Sequence, residues 1–306
     1  MPVHRIHIPA PPLAAFVRCF WYSRSTPAPR ARSASGPGRL SAPGQPAPRL
    51  ERLLPTGEAT LVFNLLDEEM RLYDADDPGR FESCGLAGLT GVRTRSIAID
   101  TANEDCVLGV QFHPGGSFPF FAMPAGELAH RSAPLEDLWG ARAREIREQL
   151  LAVHAADDAC GGEDSAGLRR IGRMFAIVER QLVAHLVRPL ELHPAIRFAR
   201  GQICRAPHVT TVAGVTEQAG LSQRRFIELF RDQVGLAPKA FCRVRRFQRV
   251  LEAVHRRDGV DWAQVAVEGG YYDQAHLIHD FQGFCGLTPA AYLARATEHL
   301  NHVPMG

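Results

Sequence analysis

Apolar residues in the second half of the chain recur at helical intervals. Ile171, Phe175, Val178, Leu182 and Leu186 fall three or four residues apart, which predicts an amphipathic helix over residues 168–187, closed by Pro189. Pro194 suits the first turn of the next helix, where a missing amide proton costs nothing. That helix is predicted to run to Cys204, and the chain stays helical from there on. The first half has a different rhythm. Short apolar runs at 59–64, 70–73, 95–99 and 106–112 are separated by turn-formers, among them Pro55-Thr56-Gly57, Asp76-Asp77-Pro78-Gly79 and His113-Pro114-Gly115-Gly116. Such strands, with no long helix between them, predict an antiparallel barrel or sandwich. Past Pro134, Leu135, Leu138, Ile146, Leu150 and Leu151 return to helical spacing, and Trp139-Gly140 reads as a helix end.

These rhythms predict an α+β protein: an N-terminal antiparallel β-barrel or sandwich-like domain with helices, then an all-α domain. The β-rich part is placed at 1–153, a linker at 154–167, a connecting helix at 168–193, the all-α domain at 194–298 and a tail at 299–306. Residues 23–50 interrupt the first domain. They are rich in Pro, Ser, Gly, Ala and Arg, with Leu40 the one large apolar residue between the ends. Such a stretch buries too little surface to offset its ordering entropy, so it is read as a disordered, solvated insertion. His113-Pro114-Gly115-Gly116 is read as a buried turn rather than the wall of a ligand pocket.

The all-α domain writes one pattern twice. Val212-Ala213, Gly220-Leu221-Ser222, Phe226, Phe230 and Gly235-Leu236-Ala237-Pro238 are answered by Val265-Ala266, Gly270-Tyr271, Asp273, Leu277, Phe281 and Gly286-Leu287-Thr288-Pro289. Each copy is a short helix, a glycine turn, a polar cap, a longer helix and a Gly-Leu-x-Pro stop, the grammar of a helix-turn-helix. With Ser222 as N-cap, the first long helix turns Phe226, Leu229, Phe230, Gln233 and Val234 inward. Arg224, Glu228 and Arg231 then face outward, with Arg225 at the flank and Gln223 in the first turn. With Asp273 as N-cap, the second turns Leu277, Ile278, Phe281, Phe284 and Cys285 inward. Ala275, His276 and His279 face outward, and Gln274 lies in the first turn. Arg, Gln and His address base edges in a major groove, and helix N-termini meet phosphate. The expected partner is therefore double-stranded DNA, a promoter or operator, contacted through Ser222, Gln223, Arg224, Arg225, Glu228, Arg231, Asp273, Gln274, Ala275, His276 and His279. Between the units, residues 239–256 predict one helical rod of roughly 27 Å, near the ~34 Å between successive major-groove faces. Arg243, Arg245, Arg246 and Arg249 on this rod are candidate backbone contacts.

Composition changes the picture little. Net charge is +2, with a local excess over 194–298 of fourteen Lys or Arg against ten Asp or Glu, a modest bias towards a polyanion. Seven scattered cysteines without C-x-x-C spacing point to reduced thiols and a cytoplasmic address. No apolar run approaches the ~20 residues that span a bilayer, and residues 1–12 lack the core of a signal peptide. No catalytic dyad, nucleotide loop or metal triad is found. His276 and His279, like His299 and His302, form pairs at i, i+3 with no third ligand placed beside them. No enzyme activity, metal or cofactor is expected.

Residues 194–296 resemble the DNA-binding domain of AraC/XylS-type transcriptional regulators. The resemblance rests on Gly220-Leu221-Ser222, Phe226, Phe230, Gly235-Leu236, Pro238, Arg246-Phe247, Gly270-Tyr271, Asp273-Gln274, His276-Leu277, Phe281 and Gly286-Leu287-Thr288-Pro289. It implies a sequence-specific regulator. Two positions depart from the pattern: His279 stands where an arginine is usual, and Thr216 where a small alanine is usual. An unperturbed histidine titrates near pH ~6.5, so the first change would make a DNA contact sensitive to pH. The N-terminal part, through Trp21, Leu54-Pro55-Thr56-Gly57, Leu61-Val62-Phe63-Asn64, Leu86-Ala87-Gly88, Gln111 to Gly116 and Leu138-Trp139-Gly140, resembles a domain fused ahead of such modules. That implies a small-molecule effector or a homodimer as its partner. The alternative from another class is an N-terminal enzyme domain carrying an accessory DNA-binding module.

Overall fold

The computed structural model describes residues 3–24, 49–101, 106–155, 165–255 and 259–305. The first half contains β1 (Val3–His7), β2 (Val17–Arg24), β3 (Leu50–Leu53), β4 (Thr60–Asn64), β5 (Arg71–Asp74), β6 (Phe81–Ser83), β7 (Ala87–Thr90), β8 (Ile97–Asp100), β9 (Cys106–Phe112) and β10 (Ser132–Pro134). Helices α1 (Leu135–Trp139), α2 (Ala141–Ala155) and α3 (Ser165–Ala184) follow. The second half contains α4 (Pro194–Arg205), α5 (Val212–Ala219), α6 (Gln223–Val234), α7 (Pro238–Val254), α8 (Trp262–Glu268), α9 (Gln274–Cys285) and α10 (Pro289–Leu293), and beyond them strand β11 (His302–Pro304).

The strands form two antiparallel sheets, ordered β1-β2-β9-β4-β7-β10 and β11-β3-β8-β5-β6. β9 lies between β2 and β4 and is buried at all but Gln111, which is why residues 106–112 read as an unbroken apolar run. β4 alternates instead. Leu61 and Phe63 enter the main core, while Val62 points the other way, to Leu53, Leu72, Ile97 and Ile99 of the second sheet. The sheets therefore face one another as an open sandwich rather than a closed barrel. Helix α3 covers the opposite face of the first sheet, where Phe175 stacks on His7 at 5.5 Å and meets Phe20 at 6.1 Å. The turn at His113 is buried from Pro114 to Gly116 and is closed by Gly116 N–H donating to the His113 carbonyl at 2.7 Å.

Three boundaries differ from the sequence reading. The described ends of the expected linker 154–167 are helical, because α2 runs to Ala155 and α3 begins at Ser165. Ser23, Arg24 and Leu50, assigned to the insertion 23–50, are strand residues: Arg24 pairs with Val3 and Cys106, and Leu50 with Asp100. Residues 25–48, which carry the rest of that expectation, lie outside the described residues, as do 156–164 of the expected linker. Within the expected tail at 299–306, His302–Pro304 form β11, which pairs antiparallel with β3 through His302↔Leu53, Val303↔Arg52 and Pro304↔Glu51. Val303 is fully buried, Tyr292 Oη donates to the Leu300 carbonyl at 2.9 Å, and Gln248 Nε2 donates to Asn301 Oδ1 at 2.8 Å. The segment is held by apolar burial and by partners far away in sequence, neither of which local composition reveals.

One contiguous apolar core runs from Leu13 to Val303 through both halves. Where they meet, Gly57 (φ +79°) lies against the Phe241 ring, and a Cβ there would come within 2.9 Å of it. Glycine serves both the backbone conformation and the close approach. Arg245 and Gln248 of α7 donate to the carbonyls of Thr56 (3.1 Å) and Pro55 (2.8 Å), and Arg200 of α4 donates to Pro114 O at 3.2 Å. Arg52 of β3, buried, donates to Ala75 O (2.9 Å), Ser96 Oγ (3.0 Å) and Cys285 O (3.1 Å), the last at the C-terminal end of α9. Ser96 N–H adds a bond to Phe284 O at 3.0 Å.

Candidate nucleic-acid interface

Helices α6 and α9 are each bounded by the chemistry their sequences suggest. Ser222 accepts from Arg225 N–H and Gly235 ends α6 in the left-handed region; Asp273 accepts from His276 N–H at 2.7 Å and Gly286 ends α9 likewise. Phe226, Phe230, Gln233 and Val234 are buried under α6, and Leu277, Phe281, Phe284 and Cys285 under α9. Gln233 brings a polar group into this layer, and its Oε1 is satisfied by His193 N–H at 2.9 Å. Ser222, Gln223, Arg224, Arg225, Glu228 and Arg231 are all exposed along one side of α6. Asp273, Gln274, Ala275, His276 and His279 are exposed along α9.

The outward face of α6 is internally paired. Arg224 Nε meets Glu228 Oε1 at 3.0 Å and Arg225 lies 3.8 Å from the same carboxylate, while Arg231 carries no acidic partner among the described ion pairs. At α9, Asp280 is buried and receives Arg243 of α7 at 2.6 and 3.3 Å; this carboxylate raises the Arg243 guanidinium above its usual value. Tyr271, buried in the turn before α9, has its hydroxyl pushed up by burial and lies under the Arg246 guanidinium at 5.2 Å. The four rod arginines expected to touch DNA are thus engaged within the protein: Arg243 on Asp280, Arg245 on Thr56 and Glu58, Arg246 on Tyr271, and Arg249 on Arg205 O at 2.8 Å. The rod spans Pro238–Val254. Its arginines fasten α9, the turn before it, the end of α4 and the sandwich, a use that their spacing on the helix did not reveal. Thr216 costs little where alanine is usual, because its hydroxyl donates to Val212 O at 2.7 Å.

Among the described residues no group of three His, Cys, Asp or Glu side chains is arranged to hold a metal ion, and no helix is long and apolar enough to cross a membrane. His302 meets Glu51 Oε2 at 3.1 Å, and the His299 ring lies 5.8 Å from that of His302. A small pocket lined by Leu89, Val92, Phe121 and Leu128 measures about 10 Å³, room for a water at most. A shallower cleft of about 370 Å³ opens where the halves meet, between Leu50, Arg52, Pro78, Leu287, Arg295 and Met305.

Two capped helices seated on one rod define a double helix-turn-helix protein. Residues 215–295 match the family model described as "Helix-turn-helix domain", and residues 5–134 match a "Domain of unknown function (DUF6597)". The C-terminal module is a DNA-binding helix-turn-helix domain of the AraC family of transcription regulators. Among solved structures the chain is similar to ToxT from Vibrio cholerae O395, at 9% identity over 82% of this chain and 98% of that one, with a TM-score of 0.43. It is also similar to the C-terminal domain of AraT, a response regulator from Geobacillus stearothermophilus, at 19% identity over 36% and 91% of the two chains, with a TM-score of 0.33. A third is a DNA-binding transcriptional dual regulator from Escherichia coli K-12, at 23% identity over 32% and 97%, with a TM-score of 0.28. No curated protein matches the sequence.

Proposed function

We propose that the protein is a sequence-specific transcription regulator that sets α6 and α9 into adjacent major-groove segments of one duplex. In this reading Gln223, Arg224, Arg225, Glu228 and Arg231 face one segment and Gln274, Ala275, His276 and His279 the next, while the first-turn amides that Ser222 and Asp273 leave uncapped meet phosphate. The observation that carries it is the common seating of both helices on α7, inward faces buried and outward faces exposed along their length. Selection from a random duplex pool, followed by hydroxyl-radical footprinting, tests it. Two protected stretches about one helical turn apart are expected. A single protected half-site per chain, or no preference over random DNA, would overturn it.

The β-rich half supplies the control. Its contacts at Arg52 and Ser96 hold the end of α9, and the cleft beside them ends at Leu287, just past that helix. A small molecule in the cleft, or a second copy bound to the sandwich, would act on the recognition helix through these contacts. Thermal shift against a metabolite panel reads the first, because a ligand of the native state raises apparent stability; sedimentation reads the second.

A further inference from the structure

The turns of the two units differ in length. In the first, Gly220 is followed by Leu221 and then by the N-cap Ser222. In the second, Gly270 is followed by Tyr271 and Tyr272 before the N-cap Asp273 is reached. Gly270 (φ +70°) packs on His208, whose Cβ would lie 2.7 Å from an added side chain, so this turn is fixed at its start. Tyr271 takes the inward place of Leu221, buried with its ring edge-on to that of His276 at 5.2 Å. The extra residue is Tyr272. Its amide N–H faces His276 Nδ1 at 3.5 Å, and the next residue caps the helix, yet its own side chain is 92% exposed.

A rigid backbone therefore presents a phenol to solvent at the mouth of α9, beside Gln274 and His276. The N-terminal end of a recognition helix is the part that meets the duplex, with the sugar–phosphate chain running past it. Tyrosine is among the side chains that donate to phosphate oxygens, and its ring offers apolar area that loses little entropy on contact. Its acidic neighbour, Asp273, accepts from the His276 amide of its own helix.

We propose that Tyr272 is a DNA-backbone contact of the second unit, its hydroxyl donating to a phosphate oxygen and its ring covering the adjoining deoxyribose. The contact sets how deeply α9 enters the groove. It rests on the reading of α9 as a DNA-contacting helix. The test titrates wild type, Tyr272→Phe and Tyr272→Ala against the duplex that wild type selects and against a scrambled duplex, each over a range of salt. Tyr272→Phe is expected to weaken binding to both about 3- to 10-fold, as loss of one hydrogen bond does, and Tyr272→Ala more. The ratio between duplexes should hold. The salt slope should hold too, because a neutral group releases no counterion. Methylphosphonate at one phosphate flanking the second half-site should weaken wild type and leave Tyr272→Phe unaffected. Melting temperatures should match wild type, as an unpacked ring requires. Wild-type affinity in Tyr272→Ala, a loss confined to the selected duplex, or a lowered melting temperature would each overturn the contact alone. If wild type selects no duplex, the DNA-contacting role of α9 falls and the contact with it.

Discussion

Arg224 and Arg225 share one anion, Glu228, on the exposed face of α6. Exposed pairs of this kind are worth only about 0.3–0.5 kcal/mol, so a phosphate or a base edge displaces the carboxylate readily. Glu228 nevertheless repels every phosphate near it. Glu228→Gln is therefore expected to tighten binding to random DNA and to steepen its salt dependence, as freed arginines displace more counterions. Equal affinity to wild type on random duplex, read by fluorescence anisotropy, would contradict this. Arg224→Ala should instead cost about 1–3 kcal/mol on the selected duplex if the side chain reads a guanine; unchanged affinity and preference in a gel shift would rule that out. His113 carries a different expectation. Burial, followed by the nearby Arg18 and Arg200, holds its imidazole down to about 4. Between that value and the ordinary value near 6.5 the unfolded chain binds a proton that the folded chain does not, so stability should fall as pH drops through this window. His113→Gln should flatten the pH dependence of the melting temperature between pH 6.5 and 5. An unflattened curve would assign it to other groups. The caps Ser222 and Asp273 were legible in the sequence because capping is local chemistry. Tyr272 was not, because its exposure follows from the fixed turn around it.

At the scale of elements, α7 joins the two units. The Arg243–Asp280 pair ties it to α9, with the carboxylate buried and the guanidinium half exposed. Removing the cation strands a buried charge, whereas Asp280→Asn keeps the shape and a hydrogen-bonding group. Arg243→Ala is expected to cost about 2–3 kcal/mol, discounted from a fully buried pair because water reaches the guanidinium. Asp280→Asn should cost less. Urea unfolding reads both, and equal midpoints for Arg243→Ala and wild type would show that the strap carries no load. The helices of the second half were legible through their caps, periods and stops. Strands β1, β2, β3, β6, β7, β10 and β11 were not, lying outside the four apolar runs; of these β6, β10 and β11 are three residues each and exist through their neighbours, with β11 registered on a strand from the first half. Pairing across such sequence distance leaves no local period to read.

At the scale of the molecule, the continuous core and the bonds from Arg52 make the sandwich a support for the reading head. Arg52 satisfies carbonyls in both halves, Ala75 O and Cys285 O, so Arg52→Met withdraws charged donors from each at once. If the halves form one cooperative unit, opening α9 opens the sandwich, and the slowest amides of β9 and α7 exchange with a common free energy. Arg52→Met should then lower both by a similar amount, about 2–4 kcal/mol for donors lost from buried acceptors. Native-state hydrogen exchange distinguishes this from the alternative. Acceleration confined to β3 and β8, with α7 unchanged, would mean that the halves open separately and that contacts at Arg52 transmit nothing. Acceleration shared by both would identify the route by which an event on the sandwich reaches α9. The same variant should then bind its selected duplex more weakly although Arg52 bonds α9 at its C-terminal end, away from the exposed residues of its first turns.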